Sequence, residues 1–217
     1  MWLKNKWIYG LLVFSILMAI MALITSNFIY KSGTAGMGII ILLILNFKKV
    51  KPPKDIWLII GAFLFSIAGD WFLSNMGGDP LLFSKGIALF FLAHLGYLGF
   101  ALSNGQIKWR FTSILLAVFL VYFSLMLYPA INDSILKLAT LIYLLVSCLS
   151  LGASLGMKGD NMVKWAYIIG IFLILFSDTL ISLTEFLGYN QLDFMILPTY
   201  YLAHISITFS LIRKVGL

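Results

Sequence analysis

Long apolar runs govern what this chain can fold into. Read in order, the 217 residues give eight of them, at about 7–25, 28–47, 56–75, 81–103, 109–128, 134–155, 162–184 and 194–212. A helix rises 1.5 Å per residue, so roughly 20 predominantly apolar residues cross a hydrocarbon core of ~30 Å. The runs are too long for strands and lack the alternation of an outer-membrane barrel. The five prolines, Pro52, Pro53, Pro80, Pro129 and Pro198, all fall in connections or near span ends, where a residue that interrupts a helix interior is tolerated. Every connection is short. The expectation is an all-α, polytopic integral membrane protein of eight transmembrane helices, one transmembrane domain over residues 1–217.

Composition agrees. Hydrophobic residues make up 62% of the chain and charged residues 11%, against about 45–50% and about 25% in soluble domains. A water-soluble domain is excluded, and the net charge of +7 is no sign of a nucleic-acid partner. The basic residues report topology instead. When connections are assigned to alternating sides, one side holds Lys4, Lys6, Lys48, Lys49, Lys51, Lys54, Lys108, Arg110, Lys158, Lys164, Arg213 and Lys214. The other holds only Lys31, Lys85 and Lys137. Twelve against three, from a total of 15, is a strong positive-inside bias and puts both termini in the cytoplasm. Lys4 and Lys6 before the first run resemble the start of a signal peptide. The run is long for that role and no A-x-A site follows, so it is expected to stay as a span. Cys148 is the one cysteine. It can form no intramolecular disulfide and belongs to no Cys-based metal site.

The chain echoes itself. Trp57–Ser74 reads WLIIGAFLFSIAGDWFLS and Trp165–Ser182 reads WAYIIGIFLILFSDTLIS, with Trp, Asp and the final Ser in register at an offset of 108. Phe90-Phe91-Leu92-Ala93-His94 is echoed by Tyr200-Tyr201-Leu202-Ala203-His204 at an offset of 110, and Lys6-Trp7 by Lys108-Trp109. A four-helix unit repeated once, as halves 1–104 and 105–217, would place the two copies in the same orientation.

Charge inside a span is costly, about 2.5–3.5 kcal/mol for an aspartate at a helix centre on insertion scales. Six of the eight acidic residues fall in connections or at span ends: Asp55, Asp79, Asp133, Asp160, Glu185 and Asp193. Asp70 and Asp178 remain inside spans three and seven. By helical rise both lie about 21–23 Å from the cytoplasmic edge, so their carboxyls are level and can meet in one cavity. Ser66 and Ser74 share the helix face of Asp70, while Ser177 and Ser182 lie beside Asp178. Each aspartate either serves a site or bonds a neighbouring helix, and intramembrane ionisable residues usually mark working sites.

His94 and His204, the only histidines, enter from the outer side to about 13 Å and 9 Å by the same rise. They are candidate supporting groups, as is Glu185. Two His and two Asp could in principle hold zinc, but no ligand spacing of a metal motif is present, and neither metal nor cofactor is expected. Lys31 stands at the outer start of span two against the charge trend. It suits a snorkelling role, a lipid phosphate or a pairing with aspartate. Tyr97, Tyr200 and Tyr201 read chiefly as interfacial or core aromatics, with Tyr97 and Tyr201 kept as supporting candidates. No GxSxG elbow or phosphate-binding glycine loop occurs.

These residues resemble the YhhN-like membrane proteins, a family that includes lysoplasmalogenases. The resemblance covers most of the chain and is carried by Ala68-Gly69-Asp70-Trp71-Phe72-Leu73, Phe91-Leu92-Ala93-His94-Leu95-Gly96-Tyr97, Phe176-Ser177-Asp178-Thr179-Leu180 and Tyr200-Tyr201-Leu202-Ala203-His204. Two positions depart from the family's habit: Lys31-Ser32 stands where Lys-Pro is usual, and His204 where Gln is frequent. The resemblance implies a bacterial cytoplasmic membrane protein acting in lipid metabolism. Its substrate would be a lysophospholipid with an alkenyl ether chain. Vinyl ether hydrolysis would yield a fatty aldehyde and a glycerophospho-ethanolamine or -choline.

The chemistry suits two carboxyls. A vinyl ether resists base and yields to acid, so the reaction needs one carboxylic acid to protonate carbon and one carboxylate to steady the cation and activate water, as in glycoside hydrolysis. Asp70 and Asp178 are the catalytic candidates, in a site opening sideways to lipid. The same pair would serve a proton-coupled transporter of small molecules or lipids. A non-catalytic scaffold would leave the paired Asp and His residues without a use.

Overall fold

The computed structural model describes residues 6–25, 27–48 and 53–216. Lys4, Lys49, Lys51 and Pro52 lie outside the described residues, as do the side chains of Lys6 and Lys48. The helices are α1 (Lys6–Thr25), α2 (Phe28–Lys48), α3 (Ile56–Ser74), α4 (Pro80–Ser103), α5 (Trp109–Ala130), α6 (Ser134–Leu155), α7 (Asn161–Leu187) and α8 (Asp193–Gly216). Among the described residues these eight are long and apolar enough to cross a membrane. The fold is an all-α polytopic membrane protein.

Acidic residues set several helix starts. Asp79 accepts from the Leu81 N–H at 2.8 Å with Pro80 at the first helical position, Asp133 accepts from Leu136 at 2.7 Å, and Asp160 accepts from Met162 and Val163 at 2.9 and 3.0 Å. Each fills N–H groups that a helix start leaves without partners. Helix α7 runs three residues beyond the expected boundary at 184 and stops at Gly188, whose φ of 66° is the left-handed cap glycine adopts readily. That extra turn carries Glu185 as part of the helix. In α5, Pro129 has no N–H and its ring crowds the carbonyl four residues back. The preceding turn, Phe123–Leu127, is opened into π geometry, with the Tyr128 N–H reaching the Phe123 carbonyl.

The bundle is apolar outside and partly polar inside, as lipid as solvent requires. Phe14, Leu17, Phe47, Trp109, Ile114 and Leu125 are exposed, while Ser66, His94, Ser150, Ser177, His204 and Ser210 are buried. Helices α3 and α4 pack as one pair and α7 and α8 as another, with α6 against α4 and α2 against α3 and α8. Glycine permits the tightest approaches. A Cβ on Gly96 of α4 would lie 2.6 Å from the Leu58 carbonyl oxygen of α3, and one on Gly170 of α7 would lie 3.1 Å from that of Ala203 in α8. At the end that carries both termini, Lys214 bonds Asp55 and the Asn104 side chain, which also donates to Asp55 at 2.8 Å. This ties α8 to the start of α3 and the end of α4. The opposite end is where the helix pairs part.

Candidate active site

The parting between α3/α4 and α7/α8 is a cavity of about 210 Å³, closed on a further side by the start of α2. Its wall carries Asp70 and Ser74 from α3, Ser177, Asp178 and Glu185 from α7, Lys31 from α2, and Tyr200 and Tyr201 from α8. Phe83 and Phe90 of α4 and Leu73 of α3 add apolar surface. The two aspartates singled out from the sequence therefore face one space, and the isolated cation faces it with them.

The acidic residues can be accounted for completely. Asp79, Asp133 and Asp160 cap helices, Asp55 holds Lys214 and Asn104, and Asp193 accepts from the Thr184 hydroxyl. Three of the eight remain: Asp70, Asp178 and Glu185. All three line this cavity. Nothing in helix geometry demands a carboxyl at any of those positions.

The two aspartates are held differently. Asp178 Oδ2 accepts from the Tyr143 hydroxyl of α6 at 2.7 Å and lies 3.0 Å from His94 Nε2 of α4. The His94 Nδ1 is buried without a partner, so the ring meets its surroundings through Nε2 at Asp178. The imidazole stands edge-on to the Tyr97 and Tyr143 rings at 5.8 and 5.0 Å, and Ser150 fixes the His94 carbonyl at 3.2 Å. Asp70 Oδ2 takes a single bond, from the Tyr200 hydroxyl of α8 at 3.1 Å. So α4, α6 and α7 converge on one carboxyl and α3 and α8 on the other.

The expected supporting residues divide. Lys31, Ser74, Ser177, Tyr201 and Glu185 are on the cavity wall, although the Ser177 hydroxyl donates to the Ile196 carbonyl at 3.0 Å. His94 is off the wall and reaches Asp178 from behind, at 3.0 Å. Ser66 and Tyr97 lie deeper and bond each other at 3.3 Å. Ser182 points the other way, into an apolar groove beside Asp178, and meets the Tyr122 hydroxyl at 2.8 Å. His204 is fully buried behind Tyr200, packed edge-on to the Tyr200 ring at 4.4 Å and to Phe63 at 4.9 Å, with both ring nitrogens unpartnered. It is not on the cavity wall, because the bulk of Tyr200 stands between. The two halves therefore differ here: His94 bonds the opposite half's aspartate, while His204 bonds neither.

Sequence reasoning misses Tyr143 and reads Tyr200 only as an interfacial or core aromatic. Tyr143 did carry a signal: it is the one aromatic in α6, and a buried phenol hydroxyl needs a partner. Among the described residues no group of three or more His, Cys, Asp or Glu side chains comes together to hold a metal ion.

A family model described as the YhhN family matches residues 30–211, a stretch that includes every residue of the cavity wall. No curated protein and no solved structure matches the chain.

Proposed function

The chain belongs to the YhhN family, and from that premise we propose that it is an integral-membrane hydrolase of lysoplasmalogen-type lipids that cleaves the vinyl ether to a fatty aldehyde and a glycerophospho-headgroup. One observation carries the reading. Asp178 stands where a polar cavity holding Asp70 and Lys31 meets an apolar groove. The bond to be cleaved occupies the same position in the lipid, between a charged headgroup and a hydrocarbon chain.

Hydrogen-bond accounting divides the labour. Asp178 Oδ2 already faces two donors, Tyr143 and His94, so that oxygen is an acceptor and Asp178 serves as the carboxylate. Asp70, with a single donor from Tyr200, has the weaker hydrogen-bond support for an anion and takes the role of the acid. Asp70 protonates the vinyl carbon remote from oxygen, and the carbon bound to oxygen becomes an oxocarbenium ion. Asp178 steadies that cation and takes a proton from the attacking water. Asp178 then hands that proton to the departing glycerol oxygen as the hemiacetal collapses to the aldehyde, and the hemiacetal hydroxyl proton passes to Asp70, which restores both carboxyls. Water is consumed and nothing is oxidised or reduced.

Lys31 meets the phosphate as a point charge at the cavity mouth. The test is release of long-chain aldehyde from a lysoplasmalogen by the purified protein. The same protein with Asp70→Asn or Asp178→Asn should release at least about 10²-fold less per unit time, the lower range for positioned acid–base groups.

A further inference from the structure

Two further hollows adjoin Asp178, and the reaction scheme uses neither. One, about 60 Å³, lies between α4, α6 and α7 and is lined by Phe83, Ile87, Phe90 and Ile181. The other, about 40 Å³, runs between α5, α6 and α7 past Phe119, Leu127, Leu144 and Leu175. Both share Thr140, Tyr143, Asp178 and Ser182, so together they form one apolar path that begins at the Asp178 carboxyl and leaves the bundle at α5. That helix is the least buried of the eight. It rests mainly on α6, and it meets α7 through its π turn and the Tyr122 just before it. The Tyr122–Ser182 hydrogen bond of 2.8 Å is a strap across the path from α5 to α7.

We propose that this groove seats one hydrocarbon chain, which slides in sideways from the bilayer between α5 and α7 beneath the Tyr122–Ser182 strap while its headgroup enters the polar cavity. The inference rests on the reading of that cavity as a lysolipid site and says where the rest of the lipid lies. Three features select the occupant. The walls are aliphatic and aromatic, which suits methylene groups and offers a polar ligand little. The path is continuous with the charged chamber at Asp178, so its occupant is the tail of whatever places a headgroup there. Both hollows are narrow beside the headgroup chamber of about 210 Å³, which favours one slender chain over a bulkier group.

The π turn at Phe123–Leu127 has a use in this setting. An i→i+5 turn widens the helix locally, and such turns recur at functional sites. Here it brings Leu127 onto the groove wall while Tyr122 and Phe119 stay on the same wall one and two turns below.

The experiment uses the full chain in lipid nanodiscs and a non-cleavable probe: a saturated 1-O-alkyl lysophosphocholine with a diazirine midway along a long chain. After illumination, the crosslinks are mapped by mass spectrometry. Label should concentrate on the α5–α7 groove at Phe119, Tyr122 and Leu144, about tenfold above the lipid-facing α1 residues Phe14 and Leu17. An excess of unlabelled single-chain lysolipid should remove it, and the same excess of a two-chain phospholipid should not. Leu144→Trp should weaken competition about tenfold, the equivalent of roughly two displaced methylenes. The wild-type competition decides the matter should that variant fail to fold. Label spread evenly over the lipid-facing helices, label concentrated at another helix pair, or equal competition by two-chain lipid would each overturn the groove. The probe has no vinyl ether, so labelling does not depend on turnover. A labelled groove in a protein that releases no aldehyde would sink the hydrolase reading alone, and aldehyde release with an unlabelled groove would sink the groove alone.

Discussion

At the scale of single residues, the site is a matter of which polar atoms are left over. Five carboxyls are occupied by helix starts, an ion pair and a hydroxyl, and the three that remain share a wall. The intramembrane aspartates stand out in the sequence because a carboxyl in lipid is expensive and therefore rare. The tyrosines that hold them were not legible in the same way: phenols are common in membrane proteins for interfacial reasons, and only the three-dimensional convergence of α6 and α8 on the cavity separates Tyr143 and Tyr200 from the rest. His204 shows the converse. Its sequence position echoes that of His94, but the residue four before each differs: Phe90 in one case, Tyr200 in the other. Tyr200 takes the bond to Asp70, leaving His204 behind it. Tyr143→Phe removes one of two donors to Asp178, a hydrogen bond to a charged group worth about 1.5–3 kcal/mol. It should lower kcat by about tenfold or more with KM little changed, measured as aldehyde release over a range of lysoplasmalogen concentrations. His204→Gln should leave kcat within about threefold of wild type in the same assay, since that side chain touches neither aspartate. Lys31→Ala should do the opposite to Tyr143→Phe, raising KM more than it lowers kcat, the pattern of lost uniform binding. An unchanged KM would return Lys31 to an interfacial role.

At the scale of helices, the spans were legible to within about four residues at each end, because a 30 Å hydrocarbon layer and a 1.5 Å rise leave little freedom; the widest gap is α8, which runs to Gly216 rather than 212. The differences have local causes. Helix α7 overruns its expected end because its stop is set by the left-handed Gly188 rather than by hydropathy, and the π turn of α5 answers to Pro129. Neither leaves a mark in an apolar average. How the helices pair was only partly legible. The echo between residues 57–74 and 165–182 does not say which helices touch; α3/α4 and α7/α8 are the two most extensive pairs. The backbone approaches at Gly96 and Gly170 that seat those pairs could not be told from the other glycines of the chain. These contacts carry a prediction. Gly170→Leu would drive a side chain into Ile207 and the Ala203 carbonyl. Overpacking of this kind costs typically about 1–3 kcal/mol and should push α8, and with it Tyr200, away from the cavity. Thermal denaturation in detergent should show a lowered Tm. The same substitution at Gly10, where an added Cβ meets nothing within 4 Å, should leave Tm unchanged.

At the scale of the whole molecule, the cavity and groove both lie toward the end of the bundle opposite the termini, and the other end is fastened by Lys214, Asp55 and Asn104. From the twelve-to-three division of basic residues we propose that the fastened end is cytoplasmic: reporter fusions after Asp79 and after Asp193 should read as external. A cytoplasmic signal at either would invert the orientation and with it the leaflet from which the lipid is drawn. The central claim is that Asp70 and Asp178 act as one acid–base unit on a vinyl ether, and its most direct measurement is the turnover of the two Asn variants and their double mutant. Purified, reconstituted wild type should release long-chain aldehyde from lysoplasmalogen. Each single variant should fall by about 10²-fold or more in kcat, and the double variant should be little worse than either, because groups that act as a unit are not additive. Wild-type turnover in a folded Asp70→Asn or Asp178→Asn protein would contradict the paired mechanism. A wild type that releases no aldehyde while carrying proton-coupled flux that both Asn variants lose would replace the hydrolase with a transporter.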